Sequence, residues 1–325
     1  MLGLADTLSH LARLRQQAVG IGDVPKPGDL TEITEFGSNP GGLRMLAHVP
    51  AMLPAGAPLM VVLHGCAQTA AEYDHGAGWS QLADRHGFAV LLPEQTRVNN
   101  SNLCFNWFQP ADTARDQGEA LSIRQMIAHV AASQRIDPAR VFITGLSAGG
   151  AMAAAMLAAY PEVFAGGAII AGLPVGAASS AQGAFEAMFQ GRSHTAREWG
   201  DRVCAASSHR GSWPRVQIWQ GDADSTVKPS NAGELVKQWA DVQGLPATPT
   251  STDIVDGAAH QTWRGRDGRV ALEIFMVPGL AHGIPLDTRS ADQDHASGAA
   301  GPYMLERGIS STWHIAHAFG LLGEG

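Results

Sequence analysis

The sequence has few charged residues, few cysteines and no long apolar run, and each shortage excludes a class of protein. Charged residues make up 16% of the 325 residues and hydrophobic residues 45%, a balance that argues against intrinsic disorder. No run reaches the roughly 18 to 20 apolar residues that a membrane helix needs, so we expect no membrane partner. The three cysteines are too few for a disulfide-built fold, and they do not have metal-site spacing. We therefore expect a globular chain without a bound metal.

The charge pattern excludes a second class, the nucleic-acid-binding proteins. The formal net charge is −8, and its basic residues are scattered rather than collected in a run that could neutralise phosphates. The sequence also contains no phosphate-binding loop, so we expect no cofactor. Nothing in the composition determines the oligomeric state.

The chain is long for one domain but within the range of α/β enzymes, so residues 1–325 are interpreted as a single domain with insertions. Residues 1–30 predict an amphipathic N-terminal helix and a linker, because leucines recur there at helical intervals. The segment is not the continuous apolar core of a signal peptide. Residues 174–213, rich in small and polar side chains, predict a cap or substrate-facing insertion between two strands.

Short apolar runs alternate with helical stretches over most of the chain, which is the pattern of a mostly parallel sheet with helices on both faces. Two earlier runs, 31–36 and 43–49, predict an antiparallel entry hairpin. The fold class is therefore α/β, with a doubly wound sheet. Its predicted central strands lie in the segments LMVVLHG, FAVLLPE, VFITG, VQIWQG and VALEIFMVPG.

One strand-to-helix junction has the sequence of a nucleophile elbow. An apolar strand runs directly into Gly145-Leu146-Ser147-Ala148-Gly149, and an alanine-rich helix follows. Glycines are needed on both sides of the serine because a β-carbon there would collide with neighbouring backbone. A helix N-terminus also stabilises the negative charge that develops in acyl transfer. We therefore predict Ser147 as the nucleophile of an α/β-hydrolase, although a Gly-rich turn with an ordinary N-cap serine has the same five-residue pattern.

The acid and the base are expected on loops after later strands, in the order serine, acid, histidine. Asp222 and Asp224 both follow the strand VQIWQG, and spacing alone does not choose between them. His282 follows the last strong strand in a glycine-flanked loop and is the predicted general base. The competing His260 precedes that strand and is expected at its other end.

Acyl transfer also needs two N–H groups at the developing oxyanion. The backbone of Ala148 is expected to supply one, and that of Cys66 the other, because Gly65 lets the loop after LMVVL bend toward the serine. His64 is expected to hold this loop by hydrogen bonding. In the later segment LCFNWFQPAD, Trp107 is the aromatic residue expected to contact substrate.

The segments HGCAQT, CFNWF, GLSAGG, GDADSTV and GLAHG, in this order, resemble the poly(3-hydroxybutyrate) depolymerase family of esterases, which is related to feruloyl and acetylxylan esterases. The resemblance extends from about residue 58 to the C-terminus. It places the family's nucleophile on Ser147, its aspartate on Asp224 and its histidine on His282.

The resemblance implies hydrolysis of ester bonds in short-chain hydroxyalkanoate polymers or oligomers. It implies secretion as well, with a cytoplasmic location as the alternative. Cys66 and Cys104 resemble a pair that forms a disulfide in this family, which fits an oxidising compartment. Feruloyl, acetylxylan or aromatic polyester hydrolysis is the alternative activity. No starch-like or fibronectin-like substrate-binding domain is seen after the catalytic one, which argues against efficient attack on crystalline polymer.

Overall fold

A ten-stranded sheet runs through residues 30–323, the part of the chain that this computed structural model describes. The strand order is β1-β2-β4-β3-β5-β6-β7-β10-β9-β8. The strands are β1 (Thr31–Ile33), β2 (Arg44–His48), β3 (Leu59–Leu63), β4 (Ala89–Glu94), β5 (Val141–Leu146), β6 (Gly166–Ile170), β7 (Arg215–Gly221), β8 (Ser251–Val255), β9 (Ala258–Arg264) and β10 (Val270–Val277).

The six central strands, from β4 to β10 in the sheet order, pair in parallel. Antiparallel strands close both edges, β1 and β2 on one side and the β8–β9 hairpin on the other. The expected mostly parallel sheet and the entry hairpin are therefore confirmed. A separate pair, β11 (Ile284–Leu286) and β12 (Met304–Glu306), follows the last central strand.

Helices cover both faces of the sheet. On one face, α4, α5 and α8 pack against side chains such as Val61 and Ile143, whereas α1, α2 and α9 pack on the other face against side chains such as Met60 and Val62. Successive strand residues point to opposite faces, so the continuous apolar runs fill two cores. The helices are α1 (Ala70–Ala77), α2 (Trp79–His86), α3 (Pro110–Thr113), α4 (Gly118–Ser133), α5 (Ala148–Ala159), α6 (Ala181–Gln190), α7 (Ala196–Ala205), α8 (Ser230–Val242) and α9 (Ser311–Ala318).

Gly78 divides the helical stretch between β3 and β4 into α1 and α2, because its φ of 77° lies in the left-handed region that ends helices. The insertion 174–213 contains two helices, α6 and α7. The N-terminal helix predicted within residues 1–30 lies almost entirely outside the described residues.

The insertion is fixed to helix α8. Trp199 of α7 is fully buried, and its indole Nε1 donates a 2.7 Å hydrogen bond to Glu234 of α8. The carbonyl oxygen of Ala187 in α6 accepts from Asn231 at the start of α8. These contacts place both insertion helices beside the segment that follows β7.

Candidate active site

Ser147 lies in a strained turn between β5 and α5. Its φ and ψ are 58° and −116°, a backbone conformation that is unusual for any residue other than glycine. Its backbone N–H donates to Ile170 of the neighbouring β6 at 2.9 Å, which fixes the turn. A β-carbon at Gly149 would lie 2.5 Å from the His64 carbonyl oxygen and closer still to that of Leu63. The glycine therefore lets the elbow touch the loop after β3, as the sequence pattern requires.

Asp224 and His282 form a hydrogen-bonded pair. The distance from His282 Nδ1 to Asp224 Oδ2 is 2.8 Å, and the Asp224 side chain is fully buried. Its Oδ1 accepts the N–H groups of Thr226 and Val227 at 2.8 and 2.9 Å, and Gln220 donates to its Oδ2. Burial disfavours the charged carboxylate, but hydrogen bonds from His282 and these N–H groups outweigh it and lower the pKa of Asp224. The pair has the form of an acid that orients an imidazole.

The alternative Asp222 has a different contact. It is exposed, and its Oδ1 accepts the N–H of Gly279 in the loop that leads to His282. The two loops also touch, because a β-carbon at Gly221 would collide with the Leu280 carbonyl. Of the two aspartates between which spacing does not choose, the structure therefore pairs Asp224, the one favoured by the resemblance, with the histidine.

The expectation that His260 lies at the far end of the last strand is wrong. It lies on β9, which runs antiparallel to β10, and it is paired with Phe275, two residues before the carboxyl end of that strand. Its Nε2 contacts Glu273 at 2.9 Å, and its ring stacks on Phe275. β9 and β10 form a hairpin that the sequence did not reveal. It brings His260 back alongside the carboxyl-terminal part of β10. These contacts hold His260 on the sheet and leave His282 as the histidine that meets the acid.

The two predicted oxyanion donors follow neighbouring strands, and within residues 30–323 neither has a hydrogen-bond acceptor. Cys66 follows β3 and Ala148 follows β5, and these strands are paired in parallel, so both residues lie at one edge of the sheet. Among the hydrogen bonds of residues 30–323, neither N–H donates to a protein acceptor.

A disulfide joins Cys66 to Cys104, as the resemblance implied. The third cysteine, Cys204, is exposed and free.

The aromatic loop 104–108 lies against the same edge. Phe105 is fully buried beside His64, with ring centroids 4.9 Å apart, so its role is packing. Trp107 is 9% exposed, belongs to the core cluster that includes Ala148, and packs edge-on against the half-buried Phe108. Contact between Trp107 and substrate stays a prediction. A groove of about 350 Å³ separates residues 108–111 from Ser179, Ser180 and Ala181 of the insertion.

Sequence reasoning missed Tyr303, which lies edge-on to His282 with ring centroids 6.1 Å apart. Its carbonyl oxygen accepts the N–H of Ile284, and a β-carbon at Gly283 would meet that carbonyl at 2.5 Å. The β11–β12 pairing creates this contact across a long loop, and no motif signals it. Tyr303 therefore supports the backbone that carries the histidine.

The described residues contain no group of three or more His, Cys, Asp or Glu side chains that could hold a metal ion. Over the same range, no helix is long and apolar enough to cross a membrane.

Comparison with known proteins identifies the family. A family model described as esterase PHB depolymerase matches residues 46–253, well over half of the chain. The chain belongs to this family. Poly(3-hydroxyalkanoate) depolymerase C of Paucimonas lemoignei is 44% identical over 90% of this chain and 70% of its own length. An acetylxylan esterase of Coprinopsis cinerea is 36% identical over 79% of this chain and 70% of its own length.

A solved relative supports the fold as well as the family. The acetyl xylan esterase of Aspergillus awamori is 28% identical, covers 78% of this chain and 94% of its own, and superposes with a TM-score of 0.72. These relatives are carboxylic ester hydrolases. As a PHB depolymerase family member with an α/β-hydrolase sheet, this chain is a carboxylic ester hydrolase too.

Proposed function

We propose that this PHB depolymerase family member is a serine esterase that cleaves short-chain polyhydroxyalkanoates, above all oligomers of 3-hydroxybutyrate. The hydrogen bond between Asp224 and His282, at the sheet edge where the elbow ends, is the observation that carries the mechanism. The sequence similarity supports this substrate class. The poly(3-hydroxyalkanoate) depolymerase is more similar to this chain than the acetylxylan esterase is, and the similarity covers more of the chain.

In the proposed mechanism, His282 accepts the Ser147 hydroxyl proton as the serine oxygen attacks the ester carbonyl. The N–H groups of Ala148 and Cys66 hold the tetrahedral oxyanion, and Asp224 stabilises the imidazolium. The intermediate collapses as His282 protonates the leaving alcohol, which leaves an acyl-enzyme on Ser147. Water, deprotonated by His282, then attacks that acyl group, and collapse returns the proton to the serine and releases the acid.

We place the polyester chain in the groove beside the aromatic loop, whose lining is of mixed polarity. Phe108, Pro110 and Ala111 supply apolar surface on one side, and Ser179 and Ser180 supply hydroxyl groups on the other. A polyester chain alternates short apolar units with ester carbonyls, which matches such a mixed lining. Trp107, which packs edge-on against Phe108, would shape the wall of this groove. The Cys66–Cys104 disulfide supports a proposed extracellular location, because such bonds persist in oxidising compartments.

The test is a comparison of substrates with matched variants. We expect wild type to hydrolyse p-nitrophenyl esters from acetate to octanoate, with a preference for short chains, and to release monomer from 3-hydroxybutyrate oligomers. His282→Gln should lose about 10³-fold or more in kcat, whereas His260→Gln, a histidine also bonded to a carboxylate, should retain most activity.

Methyl ferulate and acetylated xylan serve as competing substrates, since related enzymes carry the names feruloyl and acetylxylan esterase. A kcat/KM that is higher for either of these than for the hydroxybutyrate oligomers would overturn the substrate class and leave the esterase mechanism in place. Equal losses in the two histidine variants would overturn the assignment of the base.

A further inference from the structure

The Gly65–Cys66 peptide, which carries the proposed oxyanion donor, is held through its carbonyl group. That carbonyl accepts from His64 Nδ1 at 2.7 Å and from the Gln68 N–H at 3.4 Å. The Gly65 N–H in turn donates to Gln68 Oε1 at 2.9 Å. Because the C=O and N–H of a trans peptide point in opposite directions, a fixed carbonyl also aims the Cys66 N–H. The direction of the oxyanion donor therefore depends on His64.

The backbone N–H of Gln95 determines which ring nitrogen of His64 carries the proton. The Gln95 backbone N–H donates to His64 Nε2 at 3.1 Å, so Nε2 must be the acceptor and Nδ1 must carry the proton. Burial lowers the pKa of His64, which keeps the ring neutral and preserves this tautomer. The position of Gln95 thus controls which nitrogen faces the Gly65 carbonyl.

The Gln95 side chain uses its complete hydrogen-bonding capacity. Its Nε2 donates to the Cys104 carbonyl at 3.0 Å and to Glu119 Oε1 at 2.6 Å, and its Oε1 accepts from Thr96 and Asn99. Cys104 is the disulfide partner of Cys66. Gln95 therefore contacts both structures that hold the donor, the histidine and the disulfide.

Glu119, at the start of α4, completes the network from a fully buried position. Its Oε1 accepts from Gln95 and from Asn106 Nδ2 at 2.8 Å, while its Oε2 accepts the Asn106 N–H at 2.9 Å. Burial raises the pKa of Glu119 to about 8, against the opposing effect of the hydrogen bonds from Asn106 and Gln95. All three donors are neutral, so none of them balances the charge of a carboxylate buried here, and the charged form is costly for the fold. Asn106 immediately precedes Trp107, so the same group fixes the aromatic loop.

We propose that Gln95 and Glu119 are positioning residues for the oxyanion hole, which orient the Cys66 N–H through His64 and tie it to the loop that carries Trp107. This proposal rests on the proposed function, because it takes Cys66 as an oxyanion donor. Both residues are buried. They act through the Gly65–Cys66 peptide, so their loss should weaken binding of the transition state more than binding of the ester.

The test uses Glu119→Gln and Gln95→Met in the full-length enzyme. Glutamine has the size of glutamate, but its NH₂ group accepts no hydrogen bond. Either the Asn106 N–H at the Oε2 position, or the Gln95 and Asn106 side-chain amides at the Oε1 position, therefore lose their acceptor. We expect kcat for p-nitrophenyl acetate to fall about 10- to 100-fold with KM changed less than about threefold, since a small displacement of a catalytic group has effects of this size. The inhibition constant of phenylboronic acid, which forms a tetrahedral serine adduct, should rise by a similar factor. The double variant should be little worse than either single one.

Active-site titration with diethyl p-nitrophenyl phosphate gives the concentration of competent sites, so that kcat is expressed per site even where part of a variant misfolds. Glu234→Gln is the matched control, because Glu234 is another buried glutamate with hydrogen-bond donors, on α8. The Glu234→Gln variant should have the same kcat per site as wild type. Unchanged per-site kcat and boronate affinity in Glu119→Gln and Gln95→Met would overturn this proposal alone. Activity retained by Ser147→Ala would instead overturn the proposed function.

Discussion

The Cys66–Cys104 disulfide gives a prediction whose size follows from the structure. The two cysteines are 38 residues apart in sequence, and their bond closes a ring that contains α1, α2 and β4. In the chain-entropy model, a ring of this length stabilises the fold by about 4 kcal/mol. The entropy of unfolding of a 325-residue chain is about 0.7 kcal/mol/K, so its loss should lower Tm by about 6 °C.

The assay is thermal unfolding of Cys66→Ala/Cys104→Ala beside wild type, with and without a reductant. Cys204→Ala is the matched control, because that cysteine is exposed and unpaired and should leave Tm unchanged. The reductant should lower the Tm of wild type but not that of the double variant. Thiol labelling of native wild type should find one reactive cysteine. A double variant as stable as wild type, or three reactive thiols in the native enzyme, would refute the reasoning.

Three further predictions concern the elbow and the acid. Asp224→Asn should lower kcat for p-nitrophenyl acetate about 10³- to 10⁴-fold, against at most about tenfold for Asp222→Asn, and similar losses in the two would contradict the pairing with His282. Because the pKa of Asp224 is lowered in the fold, its stabilisation is present above the ordinary pKa of 3.8 and is lost as pH falls through the folded-state value. The Tm difference between wild type and Asp224→Asn should therefore shrink on acidification from pH 6 to pH 3; a constant difference counts against it. Gly149→Ala should lower the free energy of unfolding in urea by roughly 1–3 kcal/mol, since its β-carbon would meet the His64 carbonyl at 2.5 Å. Gly233→Ala, in open space within α8, should instead raise it by up to about 1 kcal/mol. The reverse order of stabilities would refute the close approach at Gly149.

The central sheet and the elbow were predictable because both depend on local patterns. Continuous apolar runs such as Leu59–Leu63 are typical of strands buried on both faces, and the helical stretches between them require parallel crossovers. The glycines around Ser147 report a steric requirement of the turn itself. Such features need no knowledge of distant residues.

The features that sequence reasoning missed depend on contacts between distant segments. β9 is half-exposed with weak alternation, so its hairpin with β10 was not recognised and His260 was placed at the wrong end of β10. Tyr303 reaches His282 only through the β11–β12 pairing. Gln95 and Glu119 are 24 residues apart, and each looks like an ordinary polar residue until the fold buries both. Residue spacing alone did not separate Asp222 from Asp224, because the choice depends on how the two loops meet; only the family resemblance favoured Asp224.

Covalent labelling of the nucleophile tests the central claim most directly. Wild-type enzyme is inactivated with diethyl p-nitrophenyl phosphate, and the modified peptide is identified by mass spectrometry. The account predicts one diethylphosphoryl group per chain, on Ser147, with loss of esterase activity in proportion to labelling. It also predicts no labelling and at least about 10⁴-fold lower kcat in Ser147→Ala. A phosphoryl group on another residue, or a Ser147→Ala variant that still hydrolyses esters at the wild-type rate, would contradict it.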